Sequence, residues 1–249
     1  MRRPSLLIPL TTIFFFLFSC KTIYQPGSVQ YKDYKITSSQ PANSEINVFL
    51  KLYADSVSHS MSDVVAVAAK ELEKKQPEGT LGNLLADAML IMSKQSFQTN
   101  VDAAFLNYGG IRIQSLAAGN ITRGKIFEIT PFDNLIVLQK VQGSVLKQFL
   151  DFIADKGGWP CSGISFKIKN KKAVNIYVGN NPLNETSYYY IANTDYIVNG
   201  GDDCIILKGI VQQNKGYVFR DAVIDYFSKL NTEGKPISAN IENRISYAE

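Results

Sequence analysis

The sequence predicts a mixed fold of the α/β (α+β) class, and three observations carry that expectation. Apolar residues recur at helical spacing in three stretches. Elsewhere they alternate with polar residues, or cluster in mostly apolar runs, as strands do. The two kinds of segment interleave along the chain, which places helices and sheets in one domain rather than in separate all-α and all-β parts.

The elements follow in order. A weak helix is expected near Ser44 to Ser58, where Leu50 and Val57 are spaced seven apart. Leu81, Leu84, Leu85, Ala88 and Met92 share one face of a helix from Leu81 to Ser96. Val101 to Leu106, Leu135 to Val141 and Tyr188 to Asn193 are apolar runs suited to central strands. Leu146, Phe149, Leu150 and Ile153 define a second helix, Ser144 to Lys156, and Gly157-Gly158 ends it. Ile164, Phe166 and Ile168 alternate with polar residues, as do Val174, Ile176 and Val178. With Asn170-Lys171 between them they read as a hairpin with one buried face. Val223, Tyr226, Phe227 and Leu230 mark a third helix, Phe219 to about Asn231, and Ile245 closes the chain as a strand.

The N-terminal segment has a different character. Arg2 and Arg3 precede an apolar stretch from Leu6 to Phe18 that is too short to span a bilayer. It fits a secretory signal over residues 1–19. Leu17-Phe18-Ser19-Cys20 is similar to a bacterial lipobox, in which the cysteine becomes the acylated first residue. Residues 20–44 then read as a lipidated tether with one short strand around Gln30 to Ile36, and 45–249 as the folded domain. The expected location is the cell envelope, anchored to a membrane and facing the periplasm.

Composition narrows the partners. Apolar residues make up 45% of the chain, and the net charge is +4. That falls to +2 once Arg2 and Arg3 leave with the signal. A balance so near neutral gives no electrostatic footprint for a nucleic-acid polymer. Beyond Cys20 there are two cysteines, Cys161 and Cys204, and both a disulfide and two separate thiols suit the spacing.

The chemistry-bearing residues begin with a scarcity. His59 is the sole histidine, whereas two-metal hydrolases gather several His and Asp side chains around their ions. No metal site, P-loop or nucleophile elbow is expected in this chain. Three strand-end loops carry the other candidates. Asn107-Tyr108-Gly109-Gly110-Ile111-Arg112 pairs glycines, which admit close backbone approach, with a guanidinium suited to an anion. Thr130-Pro131-Phe132-Asp133-Asn134 sets an aromatic face beside an amide. Asn193 to Asp203 adds Tyr196 and, beside Gly200-Gly201, the carboxylate of Asp202. Each loop alone is compatible with an ordinary turn. Together they match the parts of a nucleotide: base, sugar and phosphate.

The motifs also stand in a shared order. Glu78 to Met89 reads E-G-T-L-G-N-L-L-A-D-A-M; N-Y-G-G-I-R follows at 107–112, then Gly119 to Gly124 and P-F-D-N at 131–134. Gly157-Gly158-Trp159-Pro160, Gly200-Gly201-Asp202 and Glu242-Asn243-Arg244-Ile245 complete the series. Over roughly residues 45–247 the chain resembles the C-terminal, nucleotide-recognising domain of bacterial 5'-nucleotidases and UDP-sugar hydrolases. The resemblance implies a layered sandwich of mixed sheets and helices. It implies that Phe132 and Tyr196 sandwich a base, Asn134 reads its edge, Gly157 lines the base pocket, Asp202 takes the ribose hydroxyls and Arg112 meets the phosphate. Three positions depart from the family pattern. Tyr196 stands where Phe is common, Asp203 replaces the last glycine of G-G-D-G, and Glu78-Gly79 stands where Glu-Ser is usual. Asn83 also falls near a position where some members carry a second phosphate-binding arginine.

The resemblance further implies a division of labour. This chain is expected to contribute no catalytic residue and no cofactor, and to recognise a nucleoside or nucleotide. Divalent metals are expected in a metallophosphatase domain supplied by a separate subunit. The alternative is a stand-alone nucleoside- or nucleotide-binding lipoprotein; a third reading, a purely structural domain, sits poorly with Phe132, Asn134, Tyr196 and Asp202 all being present.

Overall fold

The computed structural model describes residues 27–35 and 43–249. The signal segment and Cys20 lie outside the described residues. Residues 27–35 are exposed and form no strand, so the strand expected from Gln30 is absent over that part. Val29, Tyr31 and Tyr34 in that stretch are exposed, and no strand among the described residues pairs with it.

Helix α1, Ser44–Met61, opens the ordered series. Asn43 caps it, its side-chain oxygen accepting from Glu45 N and Ile46 N at 3.0 and 3.1 Å. Strands β1 (Val64–Ala68) and β2 (Leu72–Glu73) lead into helix α2, Thr80–Phe97. Then come β3 (Ala103–Phe105), β4 (Ser115–Leu116), β5 (Gly119–Thr122) and the short helix α3 (Arg123–Ile129). Strand β6 (Leu135–Gln142) runs into α4 (Gly143–Asp155), followed by β7 (Cys161–Ser162), β8 (Ile164–Lys169), β9 (Lys172–Val178) and β10 (Asn181–Pro182). Strand β11 (Tyr188–Thr194), the single-turn helix α5 (Asp195–Val198), β12 (Gln212–Val218), α6 (Phe219–Thr232) and β13 (Ile245–Tyr247) complete the chain. Val48–Glu249 form one compact unit.

Two sheets organise it. The larger has the order β12-β6-β11-β3-β7, the smaller β10-β9-β8-β13, and β1-β5 and β2-β4 make separate pairs. Alternate residues of the larger sheet enter two hydrophobic cores. Ile136, Leu138, Ala104 and Ala192 face a core with α2 and α6; Val137, Val141, Phe105 and Ile191 face one with α4 and the β8-β9 hairpin. A sheet covered on both faces needs apolar residues on both, which is why these strands read as continuous apolar runs. On α4, Leu146, Phe149, Leu150 and Ile153 are fully buried, each contributing about 1.5–3 kcal/mol. Beyond them the Gly158 N–H bonds to Ile153 O at 2.9 Å with φ +102°, a left-handed end to the helix.

A polar network fixes the last strand. Arg244 forms a two-pronged ion pair with Asp87 of α2, at 2.8 and 2.9 Å, and its Nη1 also donates to Cys161 O. Glu78 Oε1 accepts from Asn83 Nδ2 and from Glu242 N. So Glu78, Asn83, Asp87 and Arg244, four residues of the ordered motifs, tie β13 to the start of α2. Asn83 is buried and bonded within this network, so it is not placed to meet a phosphate. Gly79 has its own reason: a Cβ there would lie 2.4 Å from Lys75 N, too close for a serine.

Candidate functional site

Topology brings three loops to one edge. Strand β11 runs parallel to β3 and antiparallel to β6, with Thr194 opposite Ile136 and Ala192 opposite Ala104. The ends of β3 and β11 and the beginning of β6 are therefore neighbours. The loops they carry, 107–112, 130–134 and 195–203, surround a cavity of about 200 Å³. Its lining comprises Asn107, Gly109, Gly110, Arg112, Phe132, Asn134, Tyr196 and Asp202. Five of the six candidate ligand-binding residues thus meet there. Gly157 is not in this lining; it sits at the end of α4 beside Gln76, whose amide donates to Lys156 O and Gly158 O.

Specific bonds hold the two aromatic loops in register. Asp195 Oδ1 accepts from Leu135 N and from Tyr196 N, both at 2.9 Å, so one carboxylate oxygen bridges the start of β6 and the start of α5. Arg220 pairs with Asp133 and reaches Phe132 O, its guanidinium 4.1 Å from the Phe127 ring centroid. Phe132 and Tyr196 remain 38% and 44% exposed, which leaves ring surface for a ligand.

The 107–112 loop is anchored from behind. Arg112 N donates to Ile129 O at 2.8 Å, and Lys74 Nζ donates to Ile111 O at 2.7 Å while sitting 4.0 Å from the Tyr108 ring centroid. Burial first, then the nearby Arg112 charge, pulls the Lys74 pKa below the ordinary lysine value. The Arg112 guanidinium lies 5.7 Å from the Phe132 ring centroid and touches Gly109 O at 3.3 Å, leaving most of its donors free.

Asp202 is held on both sides. Tyr196 Oη donates to Oδ1 at 2.8 Å, and Asn107 Nδ2 donates to Oδ2 at 2.7 Å. Asp202 and Asp203 both take left-handed backbone, φ 53° and 66°, so the aspartate in place of glycine at 203 is accommodated, as Asp is more readily than most residues. Gly201 is needed beneath the ring: a Cβ would come within 2.5 Å of Tyr196. The bond to Asp202, foremost, raises the Tyr196 pKa, so the phenol is a donor at neutral pH.

The sequence reading assigns Asn107 no role, yet it is buried, lines the cavity and bonds Asp202. Its signal is positional: a lone amide directly after an apolar strand and two residues before paired glycines. The chemistry offered is recognition: two stacking faces, an amide, a pinned carboxylate and a guanidinium. Among the described residues no group of three His, Cys, Asp or Glu gathers to hold a metal ion, and His59 is exposed on α1. Cys161 and Cys204 are buried, separate thiols.

Comparison with known proteins gives consistent matches. The family model for the 5'-nucleotidase C-terminal domain matches residues 40–209. A 5'-nucleotidase of Vibrio parahaemolyticus is 32% identical over 127 residues, covering 49% of this chain and 21% of that protein. One from Vibrio cholerae is 25% identical over 217 residues, 82% of this chain and 37% of its own length. Among solved structures, the 5'-nucleotidase precursor of Thermus thermophilus superposes with a TM-score of 0.69 at 27% identity, covering 82% of this chain and 43% of that one. The chain therefore spans less than half the length of each of these relatives.

Proposed function

The chain belongs to the 5'-nucleotidase C-terminal domain family, and from that premise we propose that its cleft recognises a nucleoside or nucleotide for a phosphohydrolase. One observation carries the reading: Phe132, Asn134, Tyr196, Asp202 and Arg112, from three distant parts of the sequence, line a single cavity. The two rings take the base, Asn134 its edge, Asp202 the sugar hydroxyls and Arg112 the phosphate. Gly157 lines the base pocket only if the loop after α4 approaches the cleft when ligand binds.

Hydrolysis of a phosphate ester in this reading is done elsewhere. A two-metal centre needs a cluster of His and Asp ligands, and the residues described here do not fit one. We assign the metals to a metallophosphatase partner, with this chain presenting the substrate. Acylation of Cys20 and attachment to the periplasmic face of a membrane belong to the same proposal. Its support is the apolar stretch ending in Leu17-Phe18-Ser19-Cys20.

Titration calorimetry with adenosine, adenine and AMP tests the binding. Measurable binding of adenosine that is lost in Phe132→Ala supports the reading; wild type that binds none of the three at millimolar concentration, with or without a candidate metallophosphatase chain, refutes it. AMP turnover by that chain should rise when this one is added. If binding is present and turnover never changes, the protein is a stand-alone binding lipoprotein. For the anchor, Cys20→Ala should shift the protein out of the membrane fraction or leave the precursor unprocessed.

A further inference from the structure

Tyr196 contributes more than an aromatic face. Its hydroxyl donates to Asp202 Oδ1 at 2.8 Å and accepts from the Asp202 N–H at 3.2 Å, so it grips the side chain and main chain of one residue together. From the opposite side Asn107, buried in the protein, donates to Oδ2 at 2.7 Å. We propose that Tyr196 Oη and Asn107 Nδ2 are positioning groups that pre-set Asp202 for a vicinal diol, making the cleft selective for ribosides over 2'-deoxyribosides. The inference rests on the nucleoside reading above.

The argument is one of lone pairs. An ionised carboxylate offers about four acceptor positions, two on each oxygen. Tyr196 fills one on Oδ1 and Asn107 fills one on Oδ2. One position remains on each oxygen, and these two suit hydroxyls on adjacent carbons. A carboxylate free to rotate adapts to a single hydroxyl. One clamped at both oxygens does not, and a deoxyriboside leaves a partly desolvated acceptor without a partner. The backbone reinforces the clamp. Asp202 is held at φ 53°, and Gly201 leaves just enough room for the Tyr196 ring to lie against it. Because the ring and the hydroxyl belong to one residue, base stacking and sugar reading are coupled through Tyr196.

Separating the two roles requires a variant that keeps the ring. In Tyr196→Phe, which keeps the stacking ring, adenosine should weaken by about 10-fold, the scale of a hydrogen bond to a charged group, and by more than adenine does. The ratio of adenosine to 2'-deoxyadenosine affinity should fall toward one. Asn107→Ala acts on the other carboxylate oxygen and should lower the same ratio; thermal melting of both variants checks that they remain folded. An unchanged ratio in folded Tyr196→Phe overturns the inference while leaving the nucleoside reading intact. So does tighter adenosine binding in that variant, which would make the hydroxyl a competitor for the acceptor. Wild type that binds neither adenine nor adenosine defeats the nucleoside reading, and this inference with it.

Discussion

At the scale of single residues the cleft is built by close contacts that small substitutions should disturb in distinguishable ways. Gly201→Ala adds a methyl where a Cβ lies 2.5 Å from the Tyr196 ring. Overpacking of this kind costs about 1–3 kcal/mol, and because the ring itself must move, loss of adenosine binding should accompany the lower melting temperature. Removing a stacking ring is a different change. Phe132→Ala should weaken adenosine by roughly 5- to 150-fold, at about 1–3 kcal/mol per stacked base and about 1.4 kcal/mol per decade, with little change in melting because Phe132 is 38% exposed. Arg112→Ala should weaken AMP and leave adenosine near wild type, since only the phosphate loses its partner; equal losses for both ligands would mean that Arg112 supports the loop instead. The candidate residues with local signatures were legible: an arginine after paired glycines, an aromatic beside an amide, an aspartate beside glycines. Asn107 and the Tyr196 hydroxyl were not, because their importance lies in a partner 95 residues away and in the direction of an O–H.

At the scale of elements, periodicity was readable wherever one face of an element is buried and the other is wet. α4, α6 and β8 meet that condition, and α2 was readable although Leu81 to Ala86 are all buried; the bounds of these elements and of β9 agree with the sequence expectation to within two residues. Strand β12 does not. Its Gln212 to Lys215 are exposed at the sheet edge, and its pairing to β6 is set by main-chain bonds that leave no apolar pattern. The pairing of β1 with β5 was hidden for a similar reason: only four residue pairs match, with an irregularity between Val64 and Ala66. The two-residue strands are invisible to any pattern argument. The last strand is the informative case, since β13 is only three residues long and Arg244, directly before it, adds an ion pair with Asp87 to the ladder with β8. Asp87→Ala should therefore destabilise the domain by about 3 kcal/mol, because it strips the main counter-ion from a guanidinium that is 12% exposed. Asp87→Asn, which keeps acceptor and donor atoms near Arg244 and Ser162, should cost less. Urea unfolding measures both; equal midpoints for wild type and Asp87→Ala would show that Glu242 alone suffices for Arg244.

At the scale of the whole molecule, one sheet divides the hydrophobic interior, and the cleft opens at the edge where three of its strands begin or end. The candidate cleft thus sits on the margin of a sheet that is apolar on both faces, and its loops are tied to the interior: Ile111 enters one core, Ile197 and Val198 the other. Cys161 and Cys204 both lie in the core that includes α4 and the hairpin, so they report on the integrity of that half. Burial, above all, pushes the Cys161 thiol up to about 12 from an ordinary value of 9.0, against a smaller opposing pull from Arg244. The sign of the linkage follows. Between about pH 9 and about pH 12 the folded chain retains a proton that the unfolded chain releases, so stability falls as pH rises through that window and gains no pH dependence from this group below it. At pH 8 the buried thiol should be inert toward iodoacetamide. Mass-spectrometric mapping of alkylated peptides should find the Cys161 and Cys204 peptides unlabelled in native protein and labelled together across the urea transition. Labelling of Cys161 well before the loss of helical circular dichroism would mean that the α4 half opens on its own, and that the central sheet does not bind the two cores into one cooperative unit.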